Sequence, residues 1–148
     1  MKMTKAFTMI ELIFVIVILG ILSAVALPKF QGIRNQADVV NAKAQLATIR
    51  SAIVNERQRR LILGDSDYVT RAALSSSATN LFSKVLITPM SGSDTVGNWH
   101  TTTADIANGI YKYKLSDGDV TFTYYDSTES DKSKQGAIVC TNNCSSFN

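Results

Sequence analysis

Hydrophobic and polar positions change their pattern several times along the chain. Residues 12 to 27, LIFVIVILGILSAVAL, carry no charge. As a helix, the apolar segment from Phe7 to Leu27 is on the order of 31 Å long, matching the hydrocarbon thickness of a bilayer. Residues 29 to 63 contain no proline and predict a long amphipathic helix. A helical wheel places Arg34, Asp38, Asn41, Gln45, Thr48, Glu56 and Arg59 on a polar sector. Ile33, Val40, Ala44, Ala47 and Val54 form one apolar flank, and Leu46, Ile49 and Ile53 another. That apolar arc is wider than one core needs. Gly64-Asp65 supplies the stop.

Beyond residue 65 the period shortens. Residues 65 to 109 read as a connector, with a short helix predicted over Ala78 to Leu86 and Leu81, Phe82 and Val85 on its apolar side. Ile110 to Leu115 (IYKYKL) and Val120 to Tyr125 (VTFTYY) alternate as strands around a Ser116-Asp117-Gly118-Asp119 hairpin turn. Asp126 to Gln135 is a polar loop, and Gly136 to Cys140 (GAIVC) a third strand. The predicted fold class is α+β: a long N-terminal helix packed on a small C-terminal antiparallel sheet.

Composition narrows the function classes. The 148 residues suffice for one domain with a modest core. Hydrophobic residues make up 45% and charged residues 18%, and a net charge of +3 argues against nucleic acid as the main partner. There is no Gly-rich phosphate loop, no G-x-S-x-G and no histidine cluster. No small-molecule substrate is evident, so the chain reads as a structural protein, not an enzyme.

The apolar run has two readings. A secretory signal peptide needs an apolar core and a small-x-small cleavage site, and Ser23-Ala24-Val25-Ala26 offers one. Against it stands Glu11, an ionisable group at the edge of the run that calls for a partner. The long helical pattern after Pro28 also argues against removal of the segment.

Ala6-Phe7-Thr8-Met9-Ile10-Glu11-Leu12, followed by an apolar run ending at Pro28, resembles the leader of type IV prepilins and type II secretion pseudopilins. The resemblance covers about the first 30 residues closely and the later architecture loosely. The family usually has Gly before the cut; Ala6, also small, stands there. The resemblance implies a leader over 1–6, cut between Ala6 and Phe7 by a prepilin peptidase that then N-methylates Phe7. It implies a retained membrane and assembly helix over 7–28, its amphipathic continuation over 29–64 and a periplasmic globular region over 65–148. Glu11 would face the N-terminal amine of a neighbouring subunit and set register. Lys2 and Lys5 fit the positive-inside rule. Pro28, lacking an N–H, would kink or open the helix. Gly20 would loosen the helix or allow close packing. One helix flank would pack on the sheet and the other meet neighbouring subunits.

The remaining candidates are weaker. Cys140 and Cys144 match no zinc pattern, His100 being the sole histidine. In an exported domain they suit a disulfide that pins the chain end, free thiols being the alternative. Asp126, Glu129 and Asp131 are candidate calcium ligands, because major pseudopilins hold calcium in a loop of this region; the competing reading is a solvated loop beside Lys132 and Lys134. Trp99 reads as a core plug with His100 its neighbour. Arg57, Arg59 and Arg60 read as a solvated helix end.

The expected function is a subunit of a type IV pilus-like filament or a secretion pseudopilus. It would be anchored in the inner membrane by a single pass, with its C-terminal region periplasmic or extracellular. Expected partners are membrane lipid, other pilin subunits, the peptidase and an inner-membrane assembly platform. Alternatives are a tethered periplasmic binding module that does not polymerise, or a DNA-uptake pilin.

Overall fold

The structure, a computed structural model, describes residues 7–147, and the side chains of residues 27–31 lie outside the description. The element order is α1 (Met9–Ile62), a 3-10 turn (Arg71–Ala73), β1 (Asn80–Leu81), β2 (Met90–Ser91), β3 (Trp99–His100), α2 (Thr103–Ala107), β4 (Ile110–Leu115), β5 (Gly118–Tyr124) and β6 (Ile138–Asn142). This is the α+β arrangement of a long helix and a small antiparallel sheet. By contacts the chain forms two compact units, Met1–Gln36 and Ala37–Asn148, with the boundary inside α1.

In the second unit, α1 ends where the chain can leave it without orphaned carbonyls. Gly64 takes φ 84. Its N–H donates to Leu61 O at 3.0 Å, and Asp65 N–H donates to Arg60 O at 2.9 Å. This pair of bonds is a Schellman cap, for which glycine is the favoured residue.

The main sheet has the order β3-β4-β5-β6. Strands β4 and β5 join through Ser116-Asp117, with Leu115 paired to Gly118, Tyr113 to Val120 and Tyr111 to Phe122. Alternation does the rest: Tyr111, Tyr113, Leu115, Val120, Phe122 and Tyr124 are buried, while Lys112, Lys114, Thr121 and Thr123 lie on the other face. Ala42, Leu46, Ile49 and Ile53 of α1 complete the same core with Trp99.

Polar bonds tie helix to sheet. Trp99 Nε1 donates to Gln45 Oε1 at 2.8 Å, and Arg50 donates to Ile138 O at 3.1 and 3.2 Å. The buried tyrosines also find partners for their hydroxyls, Tyr113 on Gly97 O and Tyr124 on Val69 O, each at 2.8 Å. Tyr111, bonded to Ser75 at 3.0 Å, has its phenol pushed up to about 12 by burial.

Several expectations change. The predicted helix over 78–86 is absent: Asn80–Leu81 pairs with Met90–Ser91 and Phe82 adopts φ 56. Leu81 and Phe82 are still buried, so the apolar signal was a core signal, indifferent to helical period. The sheet gains a fourth strand, because Trp99 pairs with Tyr113 and His100 with Lys112. Two residues are too few for alternation to show. The helix wheel also needs revision. Glu56 is buried and Gln45 half-buried, so part of the polar sector faces the core. The two apolar flanks keep the division read from the sequence: Leu46, Ile49 and Ile53 are buried, and Ile33, Val40 and Val54 are exposed. Nor is the arginine cluster a freely solvated end: Arg59 and Arg60 pair with Glu56, and Arg57 stacks over Tyr68 at 4.4 Å.

The last strand ends in a clamp. The register of β5 against β6 shifts between Thr121 and Phe122, Asn143 turns the chain at φ 57, and Cys144 bonds Cys140. Asparagine tolerates this left-handed conformation. Phe147 then packs edge-on against Phe122 at 5.2 Å. The disulfide thus pins the chain end, bringing the tail back to the core.

Candidate functional site

The N-terminal turn is built by its own sequence. Thr8 precedes the first helical residue, and its Oγ1 accepts from Glu11 N–H at 3.3 Å. Its carbonyl accepts from Leu12 N–H at 3.2 Å. Thr8 is therefore the N-cap and Glu11 the third helical residue, the Thr-x-x-Glu spacing of a capping box. A carboxylate there lies beside the positive end of the helix dipole, which stabilises it by about 0.3–1 kcal/mol. Sequence reasoning gave Glu11 a role and quoted Thr8 only as part of the motif; the signal of its capping role was that spacing.

Glu11 and Phe7 are both exposed, Phe7 at 78%. An exposed acid one turn from an exposed aromatic side chain can accept a cation from outside the chain. Ala6, expected before the cut, lies outside the described residues, as do Lys2 and Lys5. Pro28 falls within the span of α1, but its side chain lies outside the description.

Behind this turn, Met9–Ala26 has a mean hydropathy of 2.8 and none of the window is buried. It is long and apolar enough to cross a membrane. Leu12, Phe14, Ile16, Leu19, Ile21 and Leu22 are all more than half exposed. Burying one such side chain is worth about 1.5–3 kcal/mol, so the segment is driven strongly out of water. Ser23, the polar exception, donates to Leu19 O at 2.7 Å and hides its hydroxyl in the helix. Gly20 has open space where a side chain would stand.

The acidic loop candidates each have partners within the protein. Asp126 accepts from Arg71 N–H at 2.9 Å and from the Thr128 hydroxyl at 2.6 Å. Burial raises its pKa, but the bonds from Thr128 and Arg71 outweigh this and hold the carboxyl below its usual range. Glu129 pairs with the same Arg71 at 3.3 Å. Asp131 turns to Ser133 and Lys134. Asp126 and Glu129 are brought together by an arginine, and Asp131 is directed elsewhere.

An open groove of about 730 Å³ runs between α1 and the loop at 85–88, lined by Ala47, Ser51, Ala52, Val85, Leu86 and Ile87 among others. Its charged members, Glu56 and Arg59, hold each other at 2.6 Å. That bond lowers the Glu56 pKa below the ordinary glutamate value. A carboxylate held ionised in this way is poorly suited to give up a proton as a general acid.

The described residues hold a small α+β unit (the head) and, N-terminal to it in sequence, an apolar helical segment with an acid near its start. Residues 1–27 match the family model described as the prokaryotic N-terminal methylation motif. The chain is 52% identical over 48 residues to the type IV narrow pilus major component PilA5 of Thermus thermophilus, covering 32% of this chain and 41% of that one. It is 38% identical over 52 residues to a fimbrial protein of Pseudomonas aeruginosa, covering 35% and 34%. It is 40% identical over 53 residues to the type IV major alpha-pilin of Moraxella bovis, covering 36% and 33%. The similarity thus spans about two fifths or less of these relatives' lengths. No solved structure matches. Motif and relatives place the likeness in the N-terminal part of the chain, which is similar to that of proteins named as pilus and fimbrial components.

Proposed function

We propose that the chain is a filament subunit of the type IV pilus kind, stored in the inner membrane by its N-terminal helix and polymerised through the same helix. The observation that carries this reading is a capped acidic turn at the head of an apolar segment, Met9–Ala26, none of whose residues is buried. In the membrane, lipid covers the aliphatic side chains. In a filament, neighbouring helices replace the lipid, so the apolar surface stays out of water in both states. Removal of residues 1–6 by a prepilin peptidase places a positive amine at Phe7. Glu11 of the adjacent subunit pairs with it, and in a low-dielectric core an unpaired carboxylate is costly enough for that pairing to select one register. An assembly platform lifts the subunit from the bilayer, and the sheet unit faces outward.

The relatives are named as pilus or fimbrial proteins, which supports a pilus over a secretion pseudopilus. The deciding experiment is mass spectrometry of the mature N-terminus from isolated membranes. N-methylated Phe7 as first residue is the expected result. A chain beginning after Ala26 would overturn the proposal, since no apolar helix would remain. Surface fibres lost in a deletion strain support the pilus; intact fibres with failed export of a secreted enzyme would indicate a pseudopilus instead.

A further inference from the structure

Asp94, His100 and Asp119 come from three separate places in the sequence and converge at one corner of the main sheet. Asp94 lies in the loop before β3, His100 on β3 and Asp119 on β5. One ligand-type atom from each lies within 4.8 Å of the others, the sole such group of three or more among the described residues. His100 Nε2 stands 3.2 Å from Asp119 Oδ1 and 3.8 Å from Asp94 Oδ1. Both His100 Nε2 and Asp119 Oδ1 are shut off from solvent without a hydrogen bond of good geometry.

Two lone-pair atoms about 3 Å apart match neighbouring ligands on a small divalent cation, whose bonds to nitrogen and oxygen are about 2.0–2.2 Å. Asp94 has 68% of its side chain exposed. It is free to close the remaining distance of about 1 Å that such bonds require. One positive charge already sits here: Lys114 Nζ is 3.0 Å from Asp94 and 3.5 Å from Asp119. It is a flexible, partly exposed point charge that balances the carboxylate charge, leaves Asp119 Oδ1 without a hydrogen bond and offers nothing to the imidazole nitrogen.

We propose that Asp94, His100 and Asp119 form a divalent-cation site, with Lys114 supplying the charge when no metal is bound. One imidazole and two carboxylates suit zinc or manganese better than calcium, which takes oxygen ligands alone. The cation would join the loop before β3 to the β4–β5 hairpin, bracing the short edge strand. This site is independent of the filament reading.

The test uses full-length protein in detergent micelles, purified without a histidine tag and titrated with Zn²⁺ while His100 ring resonances are followed by NMR. With one histidine in the chain, those signals have a single source. Saturable shifts of the His100 ring are expected. His100→Gln, which lacks the ring and is therefore followed with the other variants by titration calorimetry, should weaken binding by more than about 10-fold, since even supporting groups of a metal site cost that much. Asp94→Asn, at an exposed position that leaves folding untouched, should also weaken it, and Lys114→Gln should tighten it. Unmoved ring resonances under excess Zn²⁺ would overturn the proposal. So would affinities of the Asp94 and His100 variants within about twofold of the parent.

Discussion

Two parts of α1 are equally helical, yet their apolar residues meet opposite fates. In Met9–Ala26 no side chain is buried. Between Ala42 and Ile53 a stripe at helical spacing is almost fully enclosed, Ala42 and Ile49 at 0% exposure. The difference lies in what surrounds each apolar position. In the first part neighbours on every side are also apolar, so a sheet on one side would still leave the rest in water. In the second, Lys43, Arg50 and Asn55 restrict the apolar surface to stripes, and one stripe matches the area that β4 and β5 offer. An all-round apolar helix belongs to lipid or to a bundle, and a striped helix to a globular domain.

The comparison makes separable predictions. Glu11→Ala should abolish filament assembly, visible as loss of fibres in electron micrographs, with thermal unfolding of the head unchanged. Assembly that survives this change would return the helix to the role of a tether. Phe122→Ala should do the reverse. Truncating a fully buried aromatic costs about 3–5 kcal/mol, measured by denaturant unfolding in micelles, while membrane insertion persists.

Gly136→Ala is expected to cost roughly 2 kcal/mol. Its φ of 76 disfavours a side chain, and a Cβ there would overlap the Tyr68 ring. Removing both cysteines should lower stability by about 2 kcal/mol, because the loop closed between Cys140 and Cys144 is short.

The smallest effect concerns pH. The Asp126 carboxyl is held below its ordinary value of 3.8. Its contribution is therefore present above that value and lost as pH falls through the lower folded value. Acid unfolding followed by circular dichroism should show an extra loss of stability below about pH 4 in the parent. In Asp126→Asn that part of the slope should disappear. An unchanged acid limb would mean that Arg71 and Thr128 do not favour the charged form.

Legibility followed range. Thr8 and Glu11 cap a helix through a spacing of three, and the Schellman cap needs only Gly64 in place. The β4–β5 hairpin shows in two alternating runs around Asp117-Gly118. Such features are set within a few residues, so they can be read from the chain. Leu81 and Phe82 misled because burial and helix share the same apolar signal when only a few residues carry it. Asp126 accepts from the Arg71 N–H, 55 positions away, a pairing no local pattern shows.

By itself, then, the sequence determined that an uncharged run occupies residues 12 to 27, that an acid stands at its head and that a striped helix and an alternating hairpin follow. These are periodic or local properties, and elementary sterics and hydration act on them directly. Tertiary structure alone decided that Trp99–His100 becomes the edge strand, that Gln45 meets Trp99 and that Asp94, His100 and Asp119 share a corner. Those outcomes depend on contacts between distant residues, whose pairing depends on how the whole core closes.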